Sequence, residues 1–576
     1  MSDNSLAAKK DEDVCSVATF QLQAETKESS HPTPTHKTSK FKKFIADFKT
    51  VDATKDLEVG KEIQITTLDD NLRDYQVKLI ALGSCIGSGL FISSASALST
   101  AGPAGCIIGY VIVAFLIFFI VQALGELTSS YPVRGNFLAY STKFIDESWG
   151  FAMNWNYCLQ WLVTTPLSLV SASLTIEFWH TEVNTAVFVA IFYVIICIIN
   201  IFGVRGYGYG ESFFSVIKVV GILGFCVLAI VLIAGGGEQG YIGAKFWHNP
   251  GAFANSFHGV CNTLVNATFS FAGTELVAIA AASSPNPRRA LNKALKQIFW
   301  RITVFYMLAI ILICFLVPYN DPSLMGNSGS SASPFVIAIK NGGIKALPSI
   351  FNVIILLAVL SVANASVFAS YRPLVALAEA GHGPKFLAYV DKKGRPIYSI
   401  MIALAFGLIG FVCASSQQAT VFNWLLALSG LSTIFIWFSI SLAQVRVNYA
   451  CKVQGISTDN VPFKAMGGDY GAYFSMFVNI LILIAQFYVA LYPVGGEKLN
   501  ANTFFQAYLA APVVLFFYII HKVWTRNWSL YIKADQIDVT TGRNIIDMDL
   551  VTQELYEEKT RMKEQPWYSR FFNFWC

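Results

Sequence analysis

Twelve long apolar runs dominate this chain and leave few folds open to it. They lie near residues 79–98, 104–124, 151–176, 184–203, 211–235 and 260–282, then near 302–318, 347–371, 397–414, 420–443, 471–493 and 504–523. A helix needs roughly 20 residues to cross about 30 Å of hydrocarbon. Inside that layer the backbone must satisfy its own hydrogen bonds, so only helices or a closed barrel can span it. Alternating strands of about ten residues, the barrel signature, are absent. The expectation is an all-α integral membrane protein with twelve transmembrane helices. Composition agrees: 13% of the residues are charged, 54% are hydrophobic and 46 are Phe, where soluble domains are about 25% charged.

The runs divide the chain into a polar segment 1–77, a spanning region 78–523 and a polar tail 524–576. Residues 1–50 are rich in Lys, Ser, Thr, Asp and Glu and contain Pro32-Thr33-Pro34. Such a composition cannot bury enough apolar surface to offset its ordering entropy, so disorder is expected. The stretch 547–564 alternates acidic and basic residues, as an exposed helix does. No signal peptide is recognisable, and the first span is expected to direct insertion itself. With residues 1–77 in the cytoplasm, the loops on that side hold sixteen Lys and Arg, among them Arg288, Arg289, Lys392 and Lys393. The opposite loops hold four: Lys245, Lys340, Lys345 and Lys498. This asymmetry follows the positive-inside rule and places both termini in the cytoplasm.

The eleven cysteines form no disulfide framework on this reading, because most, such as Cys106, Cys197, Cys226 and Cys314, sit inside apolar runs. No Cys/His cluster has zinc-site spacing, and no metal, cofactor or nucleic-acid partner is expected. Nor is there a nucleophile elbow, Walker A loop or zinc-protease motif, so an enzyme is not expected. Cys576 ends the chain and is a candidate for palmitoylation, with an unmodified thiol as the alternative. The N-terminal lysines, beginning with Lys9 and Lys10, are either solubilising charge or acceptors for ubiquitin-ligase machinery. Three glycosylation-like triplets, at Asn266, Asn364 and Asn527, fall in spans or in the tail and are read as decoys.

Two spans stand apart. The first carries Gly83, Gly87 and Gly89 within Leu82-Gly83-Ser84-Cys85-Ile86-Gly87-Ser88-Gly89-Leu90-Phe91. Glycines weaken a helix by about 1 kcal/mol each against Ala. They permit close helix packing, or they mark a break whose N–H groups form an anion site. The sixth span reads Phe269-Ser270-Phe271-Ala272-Gly273-Thr274-Glu275-Leu276 and places a carboxylate at membrane depth. Ionisable groups there usually face a cavity or a partner. The two spans hold corresponding positions in two five-span halves, the pattern of an inverted-repeat transporter. Lys218, in the fifth span, either snorkels to the interface or is buried and loads a proton.

The motifs in order are distinctive. They include Ile86-Gly87-Ser88-Gly89-Leu90, Ala123-Leu124-Gly125-Glu126-Leu127, Phe144-Ile145-Asp146-Glu147-Ser148 and Phe271-Ala272-Gly273-Thr274-Glu275-Leu276-Val277. Lys296 to Ile302, Leu316-Val317-Pro318-Tyr319-Asn320-Asp321, Ser333 to Ala338, Val390 to Pro396 and the terminal Phe574-Trp575-Cys576 continue the series. From about residue 75 onward the chain resembles fungal amino-acid permeases of the amino acid–polyamine–organocation superfamily, above all the general amino-acid permeases of yeasts. The resemblance implies a LeuT-like fold, with repeat one at 78–236, repeat two at 260–446 and two added helices at 471–523. It implies L-amino-acid uptake at the plasma membrane by proton symport, with amino acid, protons and membrane lipid as partners.

By matching motif, Gly87, Ser88 and Gly89 would take the substrate carboxylate. Phe271, Gly273 and Thr274 would serve the ammonium, with Phe271 as a lid. Glu275 would serve ammonium charge or proton relay. Lys218 would couple protons from the place where sodium-coupled relatives bind sodium. Glu126 would gate or pair with a basic loop residue. Asn154, Trp155, Tyr157 and Gln160 on the third span, with Asn364 and Ser366 on the eighth, would line the pocket or bond between helices.

The chain departs from the family pattern at Ser283 and Ser284, where an acidic residue is common, and at Ser84-Cys85, where a glycine is common. Three readings other than broad symport stay open: an amino-acid-sensing receptor, an exchanger, and a narrow permease for a derivative such as S-adenosylmethionine.

Overall fold

A computed structural model describes residues 72–83, 86–132, 137–179, 182–282, 305–326, 333–414, 418–458, 461, 463–494, 500–543 and 566. All belong to one unit, Thr50–Cys576. The N-terminal lysines, Ser84, Cys85, Ser283, Ser284, the stretch 547–564 and Cys576 lie outside the described residues.

The described secondary structure is helical. Among the described residues, seven helical stretches are long and apolar enough to cross a membrane, and four shorter apolar helices accompany them. The first run is α1 (Asp74–Gly83), then a break, then a π-helical turn, Gly89–Ser93. That turn continues into α2 (Ser94–Ser130), so the first two runs are not separated by the expected loop. One residue divides them: Gly102, at φ 75, ψ 173, followed by Pro103. Glycine reaches that conformation without a Cβ penalty, and proline then starts the next helical segment.

The third and fourth runs are α3 (Glu147–Ile176) and α4 (Thr185–Ile201), each with a side-chain cap. Asp146 accepts the Trp149 N–H at 3.0 Å, and Asn184 accepts the Ala186 N–H at 2.9 Å. The fifth is α5 (Gly203–Ile233), separated from α4 by Phe202 alone. The sixth is split into α6 (Ser256–Phe271) and α7 (Leu276–Ala282). Then come α8 (Phe305–Leu316), α9 (Leu347–Glu379), α10 (Ile397–Gly407), α11 (Gln418–Val453), α12 (Gly468–Leu491) and α13 (Ala510–Thr525).

Lipid and protein faces are inverted relative to a soluble bundle. On α5, Phe213, Val216, Val220, Leu223, Val227 and Ile230 recur every three or four residues and are exposed. The opposite face buries Glu211, Ser215, Lys218 and Gly221. On α12 the exposed face carries Tyr473, Phe477, Ile480 and Ile484, and the buried face carries Gly471, Ala472, Ser475 and Asn479. Lipid offers no hydrophobic drive between helices, so small residues and interhelical hydrogen bonds supply the association.

The helix α3 is enclosed by α9, α11, α10, α4 and α13. Its polar residues bond outward to them. Gln160 donates to Thr433 at 2.8 Å, Thr164 pairs with Ser429 at 2.9 Å, and Thr165 pairs with Ser366 at 2.7 Å. Asn156 and Ser432 bond reciprocally, and Asn352 donates to the Thr175 carbonyl at 3.0 Å. Bonds of this kind average about 0.6 kcal/mol in membranes, so the ladder aligns the helices more than it stabilises them.

Beyond α13 the chain folds back beneath the helices. Ile532 donates its N–H to the Ile145 carbonyl at 2.9 Å. Tyr131 bonds the Val539 carbonyl at 2.9 Å, and Gln454 bonds the carbonyls of Ala534 and Ile537 at 2.9 and 2.8 Å. Arg446 bonds the carbonyls of Phe144 and Ile532. Lys522 reaches Asp146 at 3.0 Å, an ion pair almost wholly buried. Residues 526–543 thus strap together the ends of α2, α3, α11 and α13.

Candidate functional site

Both Gly-bearing spans are broken, and the breaks lie side by side. The helix α1 stops at Gly83, and helical structure resumes at Gly89 with Ser88 as its cap. The first N–H groups of a helix have no acceptor within it, so Ser88, Gly89 and Leu90 present donors at this point. In the sixth span Ala272 turns extended at ψ 142 and Gly273 takes φ 96, ending α6. The Gly89–Ser93 turn packs on α6, and α7 packs on α1.

The glycines at the break also serve close packing. A Cβ on Gly89 would run into the backbone of Ser270, and one on Gly87 would come within 2.5 Å of a Val362 methyl. A Cβ on Gly83 would overlap the Ser215 side chain. Close packing and chain breakage therefore coincide here.

Around the second break, Thr274 donates its hydroxyl to the Phe271 carbonyl at 2.6 Å and its N–H to the same oxygen at 3.4 Å. Two donors occupy the two lone pairs of that carbonyl. The Gly273 carbonyl accepts the Leu276 N–H at 3.1 Å. The Phe271 ring is buried, stacked on Tyr306 with centroids 4.7 Å apart and 6.1 Å from Tyr110. Those two tyrosines in turn bond Ser270, through its carbonyl at 2.9 Å and its hydroxyl at 3.0 Å.

Glu275 is buried, at 2% exposure. Its Oε2 accepts the Trp437 indole N–H at 3.3 Å from α11. Its Oε1 has no hydrogen-bond partner among the described residues. The Tyr157 hydroxyl, within electrostatic reach of Glu275, is likewise buried without a hydrogen-bond partner. A buried polar atom without a partner is costly unless something else fills the role.

Lys218 does not snorkel. It is completely buried, and its ammonium donates to the Gly83 carbonyl at 2.5 Å and to Ser361 at 2.7 Å. It also pairs with Glu211 at 3.3 Å. Glu211 escaped the sequence reading, although its place seven residues before Lys218, two turns back on one helix face, could have identified it.

Glu126 has partners other than a basic loop residue. It accepts from Gln444 at 2.9 Å, Asn448 at 3.1 Å and the Ala465 N–H at 2.8 Å. Asn448 leads on to Asp469, which pairs with Lys452. The question left open over the third and eighth spans resolves mostly toward interhelical bonding. Gln160 and Ser366 bond other helices, Trp155 donates to the His382 carbonyl, and Asn364 accepts from Asn200 at 3.0 Å. Asn154 bonds its own helix at Gly150. Gln160 Oε1, Asn364 Nδ2 and the Tyr157 hydroxyl are buried without a hydrogen-bond partner among the described residues.

One trio of metal-ligating type occurs among the described residues: Glu147, His382 and His521. A 3.7 Å contact between His382 and Glu147 and a 2.9 Å bond between His521 and Ser148 account for its arrangement.

Residues 76–534 match the family described as Amino acid permease. The general amino-acid permease GAP2 of Candida albicans is 49% identical over 93% of both chains. The general amino-acid permease GAP1 of Saccharomyces cerevisiae is 49% identical over 93% of this chain and 91% of its own. A histidine permease of Saccharomyces cerevisiae is 46% identical over 90% of this chain and 87% of its own.

Proposed function

The chain belongs to the amino acid permease family, and we propose that it carries L-amino acids into the cell by proton symport, with a broad range. The observation that carries this reading is the orphaned Glu275 Oε1 beside two broken helices. An amino acid presents a carboxylate and an ammonium a few ångströms apart. The N–H groups of Gly87, Ser88 and Gly89 suit the first charge. Glu275 suits the second better than the Phe271 carbonyl, whose lone pairs are already engaged. Gly273 and Thr274 shape the wall between them. Phe271 closes the pocket by leaving or rejoining its stack on Tyr306. Lys218 supplies the coupling group, held at the Gly83 carbonyl where α1 stops.

The reading extends to twelve spans in a 5+5 inverted repeat with two added helices, in the plasma membrane, both termini cytoplasmic. Support comes from the broken first and sixth spans and from the bias of basic residues among the loops. The strap of residues 526–543 then lies on the cytoplasmic face.

A narrow range is the second reading, favoured by the 46% identity to a histidine permease. The test is uptake of a panel of radiolabelled amino acids into permease-deficient cells at pH 5, with and without an uncoupler. Uptake of many amino acids, abolished by the uncoupler, is expected. Uptake of one alone supports the narrow reading. Uncoupler-resistant uptake that needs internal substrate identifies an exchanger. No uptake despite surface expression sinks the transporter reading in favour of a receptor.

A further inference from the structure

Glu211, Lys218 and Ser361 form a buried polar cluster, with Ser215 on the same face of α5. All three are buried, with both charged side chains at 0% exposure. Glu211 and Lys218 come from α5, and Ser361 from α9. The Ser361 hydroxyl lies 2.6 and 2.8 Å from the two Glu211 oxygens and 2.7 Å from the Lys218 ammonium. Lys218 reaches on to the Gly83 carbonyl at 2.5 Å, the last carbonyl before the first break. Three helices and one site of chain breakage thus meet at one pair of opposite charges.

Resting on the symport reading, we propose that Glu211 is a coupling residue, and that the transported proton is held by the Glu211–Lys218 pair rather than by Lys218 alone. The two charges lie 3.3 Å apart and share the Ser361 hydroxyl, so a proton taken up by one changes what the other faces. In the unloaded state Glu211 is a carboxylate and Lys218 an ammonium, and the pair is neutral. The proton that enters binds a Glu211 oxygen and leaves as the same proton on the other side of the membrane, so no other bond forms or breaks. While it is bound, the Lys218 charge loses its counter-charge and leans on the Gly83 carbonyl. Its grip on the end of α1 changes with the load, at the segment that carries the proposed carboxylate site. Ser361 lies between the two and accepts from Lys218 while bonding Glu211.

The remaining titratable groups described on these helices are Arg205, Tyr207, Tyr209 and Cys226 on α5 itself, Tyr75 and Lys78 on α1, Tyr193 and Cys197 on α4, and Tyr371, Arg372 and Glu379 on α9. Of these, Lys78 is partly exposed, Tyr193 bonds the Leu404 carbonyl, and Arg372 lies over the Phe368 ring. Glu211 itself is held by Ser361 and Lys218.

The test compares the full-length protein with Glu211→Gln, Lys218→Met and the double variant in reconstituted vesicles. Two assays are run: accumulation driven by an imposed pH gradient, and counterflow with substrate on both sides and no gradient. The expected result for Glu211→Gln is loss of gradient-driven accumulation with counterflow retained, and a double variant no worse than the more impaired single one. Glu211→Asp, which keeps the carboxyl, should restore part of the accumulation. Wild-type accumulation and pH dependence in Glu211→Gln would overturn the proposal. So would an equal fall in both assays that tracks a lowered thermal stability, since that marks a purely structural role. If the wild-type protein itself ignores the pH gradient, it is the symport reading that fails.

Discussion

At the scale of single residues, the site separates atoms that are satisfied from atoms that wait for something. Ser270 illustrates the first kind. Its carbonyl and hydroxyl each hold a tyrosine, and its backbone fills the space a side chain on Gly89 would need. Gly89→Ala is therefore expected to destabilise the fold, by about 1–3 kcal/mol as overpacked sites do. Thermal unfolding in detergent would measure it, and lost uptake in that variant alone says little about substrate. Gly87 is a better probe because its obstruction is a side-chain methyl. Gly87→Ala combined with Val362→Ala should fold normally, and its uptake shows whether the loop binds the carboxylate. Tyr157 illustrates the second kind. Its hydroxyl has no hydrogen-bond partner among the described residues, so Tyr157→Phe should leave stability within about 0.5 kcal/mol, since no bond is lost. A raised KM with unchanged stability would place that hydroxyl against substrate, and an unchanged KM would remove it from the pocket.

At the scale of elements, the breaks were legible and the strap was not. Glycine clusters at corresponding places in two halves, one beside a carboxylate, announce irregular backbone from the sequence alone. The strap of residues 526–543 gave no such signal, because what it offers its partners is mostly its own backbone carbonyls: Val539 to Tyr131, Ala534 and Ile537 to Gln454, and Ile532 to Arg446. Every residue has a carbonyl, so no residue pattern marks those contacts. At its root Lys522, on the last turn of α13, pairs with Asp146 and bonds the Ser529 carbonyl of the strap, and farther along Asp538 pairs with Lys143 at 3.8 Å. Removing one partner of a buried pair leaves a charge unpaired and typically costs about 3–5 kcal/mol. Asp146→Ala also removes the cap of α3, worth about 1 kcal/mol more. Lys522→Ala should therefore lower the unfolding temperature, and Asp146→Ala should lower it further. Equal stability in all three proteins would show that this pair does not hold the root of the strap.

For the whole molecule, orientation is the property that charge distribution predicts and packing does not display. An epitope tag inserted near Lys245 should be detected on intact cells, and a tag at the C-terminus only after permeabilisation. The reverse pattern would invert the topology and move the strap outside.

The sequence by itself determined that the chain is helical and embedded in lipid, because runs of apolar residues have no other stable arrangement. It also identified the family, through many short motifs in a fixed order, and pointed to both interruptions, because they carry glycines at corresponding places of the two halves and one lies beside a carboxylate at membrane depth. Tertiary structure alone decided what each polar residue does. Gln160 and Ser366 bond other helices while Tyr157 has no hydrogen-bond partner, although all three look alike as polar groups on apolar helices. Lys218 is buried rather than snorkelling because Glu211, Ser361 and the Gly83 carbonyl converge on it from three helices. Periodicity assigns a residue to a face of its own helix. Which atoms of other helices meet that face is fixed only when the helices pack.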